Sequence, residues 1–258
     1  MIRPAAPSFR PAAPRVIVIP DPRFAAGATI GSLVAAALAG GADCIQLRAK
    51  GLPVPDLVAL GRRLAAACRE RGALFFVNDD AAAALACGAD GAHVGPGDRA
   101  VVPSCGADGF PVGSGCKVSA LLCSADGVRV CPGDSASAQA RQLLGERGMV
   151  GVSVYTDEDL EQAEAARADY VAVGAVYPTS TKAIAVVGLE GVRRLRAKTR
   201  LPIIAIGGID ATNAAAAIAA GADGVAVISA VSGARDPEAA TRGLCTQVAA
   251  ALAARGRG

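Results

Sequence analysis

Eight short runs rich in Val and Ile alternate with longer alanine-rich stretches along this chain, and that alternation limits it to few architectures. The runs are RVIVIP (15–20), DCIQLRA (43–49), ALFFVN (73–78), GAHVG (91–95), MVGVSV (149–154), DYVAVGAV (169–176), PIIAIGG (202–208) and GVAVISAV (224–231). Amphipathic segments such as PDLVALGRRLAAACRERG, DEDLEQAEAARA and GLEGVRRLRAKT separate them. Strands that are apolar without alternation are buried on both faces, as in a parallel sheet covered by helices. Eight such units predict a single (β/α)8 barrel, with its chemistry at the C-terminal strand ends. A doubly wound sheet is the competing fold, but no G-x-G-x-x-G follows the first strand.

Composition narrows the function. Lys+Arg 26 against Asp+Glu 23 is too even to attract nucleic acid or an anionic membrane by charge. With no Trp, three Tyr and five Phe, the chain has little with which to stack bases. No apolar run reaches the ~18 residues of a membrane span, and no secretory leader is evident. The expectation is a cytoplasmic protein, monomer or small homo-oligomer, with a loose proline-rich tail over 1–14 and a barrel over 15–258. Of eight cysteines none forms a C-x-x-C pair, and the chain has one histidine, so the thiols read as reduced and structural.

Polar residues gather at the strand ends. Alternation sends Gln46, Arg48 and Lys50 to one side of strand two, three donors suited to a diphosphate. Strand three ends in Asn78-Asp79-Asp80 and strand four in Gly95-Pro96-Gly97-Asp98. Carboxylates at neighbouring strand ends beside basic groups suit Mg2+ bridged to phosphate oxygens. Asp80, just before an alanine-rich stretch, is the expected helix cap, and Asp79 the expected ligand. After strand six comes the hydroxyl-rich Pro178-Thr179-Ser180-Thr181-Lys182. Strand seven ends in Gly207-Gly208 and strand eight in Ile228-Ser229, the region where barrels of this class hold phosphate.

These motifs, in this order, resemble the thiamine phosphate synthase family. Its Q-L-R-x-K is matched by Gln46, Arg48 and Lys50, its N-D by Asn78-Asp79, its G-V-S by Gly151-Val152-Ser153 and its P-T-x-T-K by residues 178–182. IAIGGI (204–209) and GADGVAVISA (221–230) extend the likeness, which runs from about residue 15 to the end apart from a stretch near 99–134. Ala49 stands where the family usually has Glu, and Pro96 where it usually has Gln. The resemblance implies that a pyrimidine diphosphate loses pyrophosphate with Mg2+ assistance and that a thiazole phosphate nitrogen captures the resulting cation. By the same resemblance, Gln46, Arg48, Lys50, Asn78, Ser153 and Lys182 hold the pyrimidine diphosphate, with Arg48, Lys50, Ser153 and Lys182 catalytic. Asp79 and the strand-four aspartate bind Mg2+, while Thr179, Ser180, Thr181, Gly208, Ile228 and Ser229 hold the thiazole phosphate. The alternatives are a thiazole tautomerase and a non-catalytic barrel that binds a phosphorylated ligand. The tautomerase leans on a histidine where this chain has Tyr155.

A tandem repeat complicates strand four. CGADGAHVG from Cys87 recurs as CGADGFPVG from Cys105 and CSADGVRVC from Cys123, at an 18-residue offset. Asp98 ends the first copy and Asp134 the third, so either could be the second metal ligand. Asp98 is preferred because short connections are the commoner arrangement, which makes 99–134 an insertion after strand four. His93, in the first copy, is expected to be a buried structural imidazole.

Overall fold

The computed structural model describes residues 12–95, 135–179, 181 and 185–256. Its strands are β1 (Val16–Val18), β2 (Cys44–Leu47), β3 (Leu74–Asn78), β4 (Gly91–Val94), β5 (Met149–Val154), β6 (Tyr170–Val173), β7 (Ile203–Ile206) and β8 (Gly224–Val227). They form a closed parallel barrel in sequence order, sealed where β1 pairs β8 through Ile17 and Ala226. The helices described are α1 (Ile30–Ala39), α2 (Val54–Glu70), α3 (Ala81–Cys87), α4 (Ala136–Leu144), α5 (Asp157–Ala165), α6 (Gly188–Arg196), α7 (Ala214–Ala219), α8 (Ser229–Ser232) and α9 (Pro237–Arg255). The fold is therefore the expected (β/α)8 barrel and not the doubly wound sheet. The last run is shorter than the sequence suggests, because Ser229–Ser232 turns into helix instead of continuing β8. The first repeat copy supplies the end of α3 and all of β4, and residues 96–134 lie outside the described ones, as do residues 1–11. Pro14, assigned by sequence to the loose tail, is buried against the barrel. Among the described residues no helix is long and apolar enough to cross a membrane.

Two apolar layers follow from strand alternation. One set of side chains, including Ile17, Phe76, Met149, Tyr170 and Ile204, fills the barrel interior. The opposite set, including Val18, Ile45, Phe75, Val171 and Val225, packs under the helices. The interior holds its bulk by pairing large residues with glycine. A Cβ on Gly151 would lie 2.1 Å from the Tyr170 ring, and one on Gly91 2.6 Å from Phe76. Helix starts are set by local caps. Thr29 and Thr156 form capping boxes with Ser32 and Asp159, and Asp80 accepts from the Ala83 N–H at 2.7 Å. Asp80 is thus the cap expected of it.

The bottom of the barrel carries a device that recurs four times. An aspartate precedes each even-numbered strand, and its carboxylate accepts a backbone N–H from the start of the strand before. Asp43 accepts from Arg15 and Val16, Asp90 from Phe75, Asp169 from Val150 and Asp223 from Ile203, all at 2.8–2.9 Å. Two positions before each aspartate the chain adopts positive φ, at Gly41, Gly88, Arg167 and Gly221. Glycine meets that demand at three sites without steric cost. Asp90→Ala should lower unfolding free energy in urea by about 1–3 kcal/mol, because it strands the Phe75 N–H. A loss below about 0.5 kcal/mol would show that the clamp is dispensable.

The described cysteines, Cys44, Cys68, Cys87 and Cys245, are free. Burial pushes the Cys68 thiol up to about 12 and Cys245 up to about 11. They are poor nucleophiles at neutral pH, in keeping with structural roles.

Candidate active site

A cavity opens at the C-terminal end of the barrel, and the strands deliver its polar lining. From β2 and its continuation come Gln46, Arg48 and Lys50, on one side as alternation requires. Asn78 and Asp79 follow β3, Ser153 and Tyr155 come from the end of β5, and Ile228 and Ser229 follow β8. Thr179, Thr181, Gly207 and Gly208 complete the opposite wall. Every expected site residue that is described lines this one cavity. Ser180, Lys182, Asp98 and Asp134, with Pro96, lie outside the described residues.

The basic and acidic groups are arranged as counterparts. Asp79 adopts φ 65°, a conformation that aspartate tolerates better than most side chains. Its backbone N–H donates to the His93 carbonyl at 2.8 Å, which ties the turn to β4. Lys50 Nζ lies 3.8 Å from Asp79 Oδ2, with the lysine side chain 64% exposed. So loose and wet a pair contributes little to stability. A second carboxylate feels the charge of Arg48. Asp21 is held below the usual carboxylate range, chiefly by its hydrogen bond from Arg23 and also by the charge of Arg48. Arg48 therefore has an acidic neighbour although Ala49 replaces the family's usual Glu.

Among the described residues the opposite wall is uncharged and tightly built. Gly207 and Gly208 have φ of 93° and 65°, and a Cβ on Gly208 would meet the Pro178 carbonyl at 2.6 Å. Only glycine lets the hydroxyl-rich loop come so close. Tyr177 N–H donates to the Gly207 carbonyl at 2.9 Å, and Asn213 Nδ2 donates to the Gly208 carbonyl at 2.8 Å. Within the loop, Thr179 Oγ1 donates to Thr181 Oγ1 at 3.2 Å.

His93 is 7% exposed, so burial agrees with expectation, yet its ring also lines the cavity. Its Nε2 is 2.9 Å from Ser153 Oγ and its Nδ1 is 3.1 Å from the Tyr170 hydroxyl. Sequence reasoning missed this role, as it missed Tyr155. The signal was available, since alternation places His93 two residues above the inward-facing Gly91. Among the described residues no three His, Cys, Asp or Glu side chains cluster as a metal site.

Known proteins share this sequence and this fold. The sequence profile of the family described as "Thiamine monophosphate synthase" matches residues 16–107 and 118–231. A thiamine-phosphate synthase of Moorella thermoacetica is 43% identical over 214 residues, 82% of this chain and 85% of that protein. One from Roseiflexus sp. is 40% identical over 244 residues, 94% of this chain and 88% of its own length. The structure titled "Thiamine phosphate pyrophosphorylase from Pyrococcus furiosus" superposes with a TM-score of 0.71 at 34% identity, covering 92% of this chain and 96% of that one. Matching profile, relatives and barrel fold together place this chain in the thiamine monophosphate synthase family.

Proposed function

We propose that the chain joins a pyrimidine diphosphate to a thiazole phosphate across this cavity, the diphosphate held on the Gln46–Arg48–Lys50 side and the thiazole phosphate on the Thr179–Gly208–Ser229 side. Family membership makes the protein a transferase that forms thiamine phosphate. The observation that carries the residue assignment is the meeting of two fixed cations, Asn78, Asp79 and Ser153 in one mouth opposite a glycine-and-hydroxyl wall.

The chemistry asks for charge stabilisation. The bond between the pyrimidine methylene carbon and the diphosphate oxygen breaks, and its electron pair leaves with the diphosphate. The thiazole nitrogen then donates its lone pair to that carbon. Arg48 and Lys50 stabilise charge as it collects on the leaving oxygen, a contribution preorganised before reaction. Asn78 and Ser153 orient the diphosphate, and the glycine turn admits the thiazole phosphate close to backbone. Neither bond change requires a strong base. Mg2+ fits the donor chemistry of this mouth, since Asp79 offers hard carboxylate oxygens at the cavity rim beside the diphosphate side. Asp79 and the strand-four aspartate, Asp98 or Asp134, would hold it, and when bound it supplies positive charge to diphosphate oxygens.

Incubating the purified protein with the pyrimidine diphosphate, the thiazole phosphate and Mg2+ should yield thiamine phosphate and pyrophosphate. Ligand binding without product would favour a non-catalytic barrel. The tautomerase alternative is not favoured, because Tyr155 lines the cavity where that relative uses histidine. Deleting residues 99–134 joins Asp98 to Ser135, and turnover should stay within a few-fold of the intact chain. Loss of turnover in a folded deletion variant would make the repeat part of the enzyme.

A further inference from the structure

Three polar side chains form a line beneath the cavity floor. Ser153 Oγ meets His93 Nε2 at 2.9 Å, and His93 Nδ1 meets the Tyr170 hydroxyl at 3.1 Å. Ser153 and His93 line the cavity, whereas Tyr170 is wholly buried in the barrel among Cys44, Phe76 and Met149. Tyr170 and His93 rings also stack, with centroids 5.6 Å apart and planes 25° apart, so neither ring is free to turn.

Such a line has two self-consistent polarities. In the first, Tyr170 donates to His93 Nδ1, and His93 Nε2–H donates to Ser153 Oγ. The serine proton is then left to point into the cavity. In the second, every donor reverses, Ser153 donates to Nε2 and shows the cavity only lone pairs. Two observations select the first. The wholly buried Tyr170 hydroxyl bonds to His93 Nδ1 among the described residues, and its proton would be stranded if Nδ1 were the donor. The cavity around Ser153 also holds Arg48 and Lys50 and so suits an anion, which a serine lone pair would repel and a serine proton would bind.

We propose that His93 is a positioning residue, held by Tyr170 as its Nε2-protonated tautomer, that turns the Ser153 hydroxyl proton toward the diphosphate. The proposal rests on the assignment of Ser153 to the diphosphate in the preceding subsection. Tyr170 acts at one remove, through the imidazole.

The chain has a single histidine, so one imidazole ring system in the spectrum of 15N-labelled protein reports the tautomer directly. Long-range 1H–15N correlation on the ligand-free protein at neutral pH should show the proton on Nε2. A proton on Nδ1 would overturn the proposal, whether in the other neutral tautomer or in imidazolium. Tyr170→Phe keeps the ring packed on Phe76 while removing the donor to Nδ1, and should lower kcat about tenfold. In a Ser153→Ala background the same substitution should change kcat less than twofold, since no hydroxyl remains to aim. Equal losses in the two backgrounds would mean that Tyr170 acts only on the packing, and would overturn the proposal. Unimpaired turnover by Ser153→Ala would also overturn it, by removing Ser153 from the diphosphate site. Failure of the reaction assignment itself would differ, because the unaltered protein would then make no thiamine phosphate.

Discussion

Asp79→Asn should reduce Mg2+-dependent turnover about a thousandfold while leaving the fold intact. The backbone at this residue has φ 65°, and asparagine adopts that conformation at least as readily as aspartate. The substitution is nearly isosteric, so it removes a charge and little else. A thousandfold corresponds to about 4 kcal/mol, the scale of a metal's contribution to a developing anion. Raising Mg2+ should recover part of the loss, because a weakened site fills at higher concentration. Turnover within fivefold of the unaltered protein at ordinary Mg2+ would remove Asp79 from the metal site. The companion carboxylate is read the same way. Asp98→Ala should abolish Mg2+-dependent turnover and Asp134→Ala should largely spare it, and the reverse pattern would reassign the ligand to the third repeat copy.

Arg48→Met should lower kcat by about 10²–10³, with a smaller change in KM. Methionine keeps an unbranched apolar stem of similar reach, so packing at the mouth survives and the guanidinium alone is lost. A fixed donor aimed at charge that develops only in the transition state acts mainly on kcat, and removing one such donor costs about that factor. If kcat stayed within threefold and KM alone rose, Arg48 would be binding ground state and transition state alike, and the leaving-group role would fall to other residues. Asp21 serves as an internal check. Its carboxyl, lowered first by Arg23 and further by Arg48, should titrate at somewhat higher pH in the variant.

Much of this site was legible in the chain because strand alternation is strict. Gln46, Arg48 and Lys50 occupy every second position and reach the cavity together, and one-residue spacing separates the capping Asp80 from the cavity-lining Asp79. The family motifs fell on strand ends for the same reason. His93 was legible as a buried residue but not as a neighbour of Ser153. They lie 60 residues apart, and only the pairing of β4 with β5 brings them within 2.9 Å. The Gly-Ala-Asp at 88–90 looked like one phrase of the tandem repeat. In the barrel it is also one of four strand clamps, a role invisible until each aspartate met the strand before its own.

Sequence by itself therefore determined the number and order of the strands, the cap of α3 and the ring of polar residues at the barrel mouth, since each depends on spacing within a few residues. Tertiary structure alone decided closure between β1 and β8, the fit of Tyr170 against Gly151, the docking of the Thr179 loop on Gly208 and the line from Tyr170 to Ser153. These are contacts across the barrel, where the partner of a side chain is set by register and by how much volume its neighbours leave. Local periodicity carries no record of either.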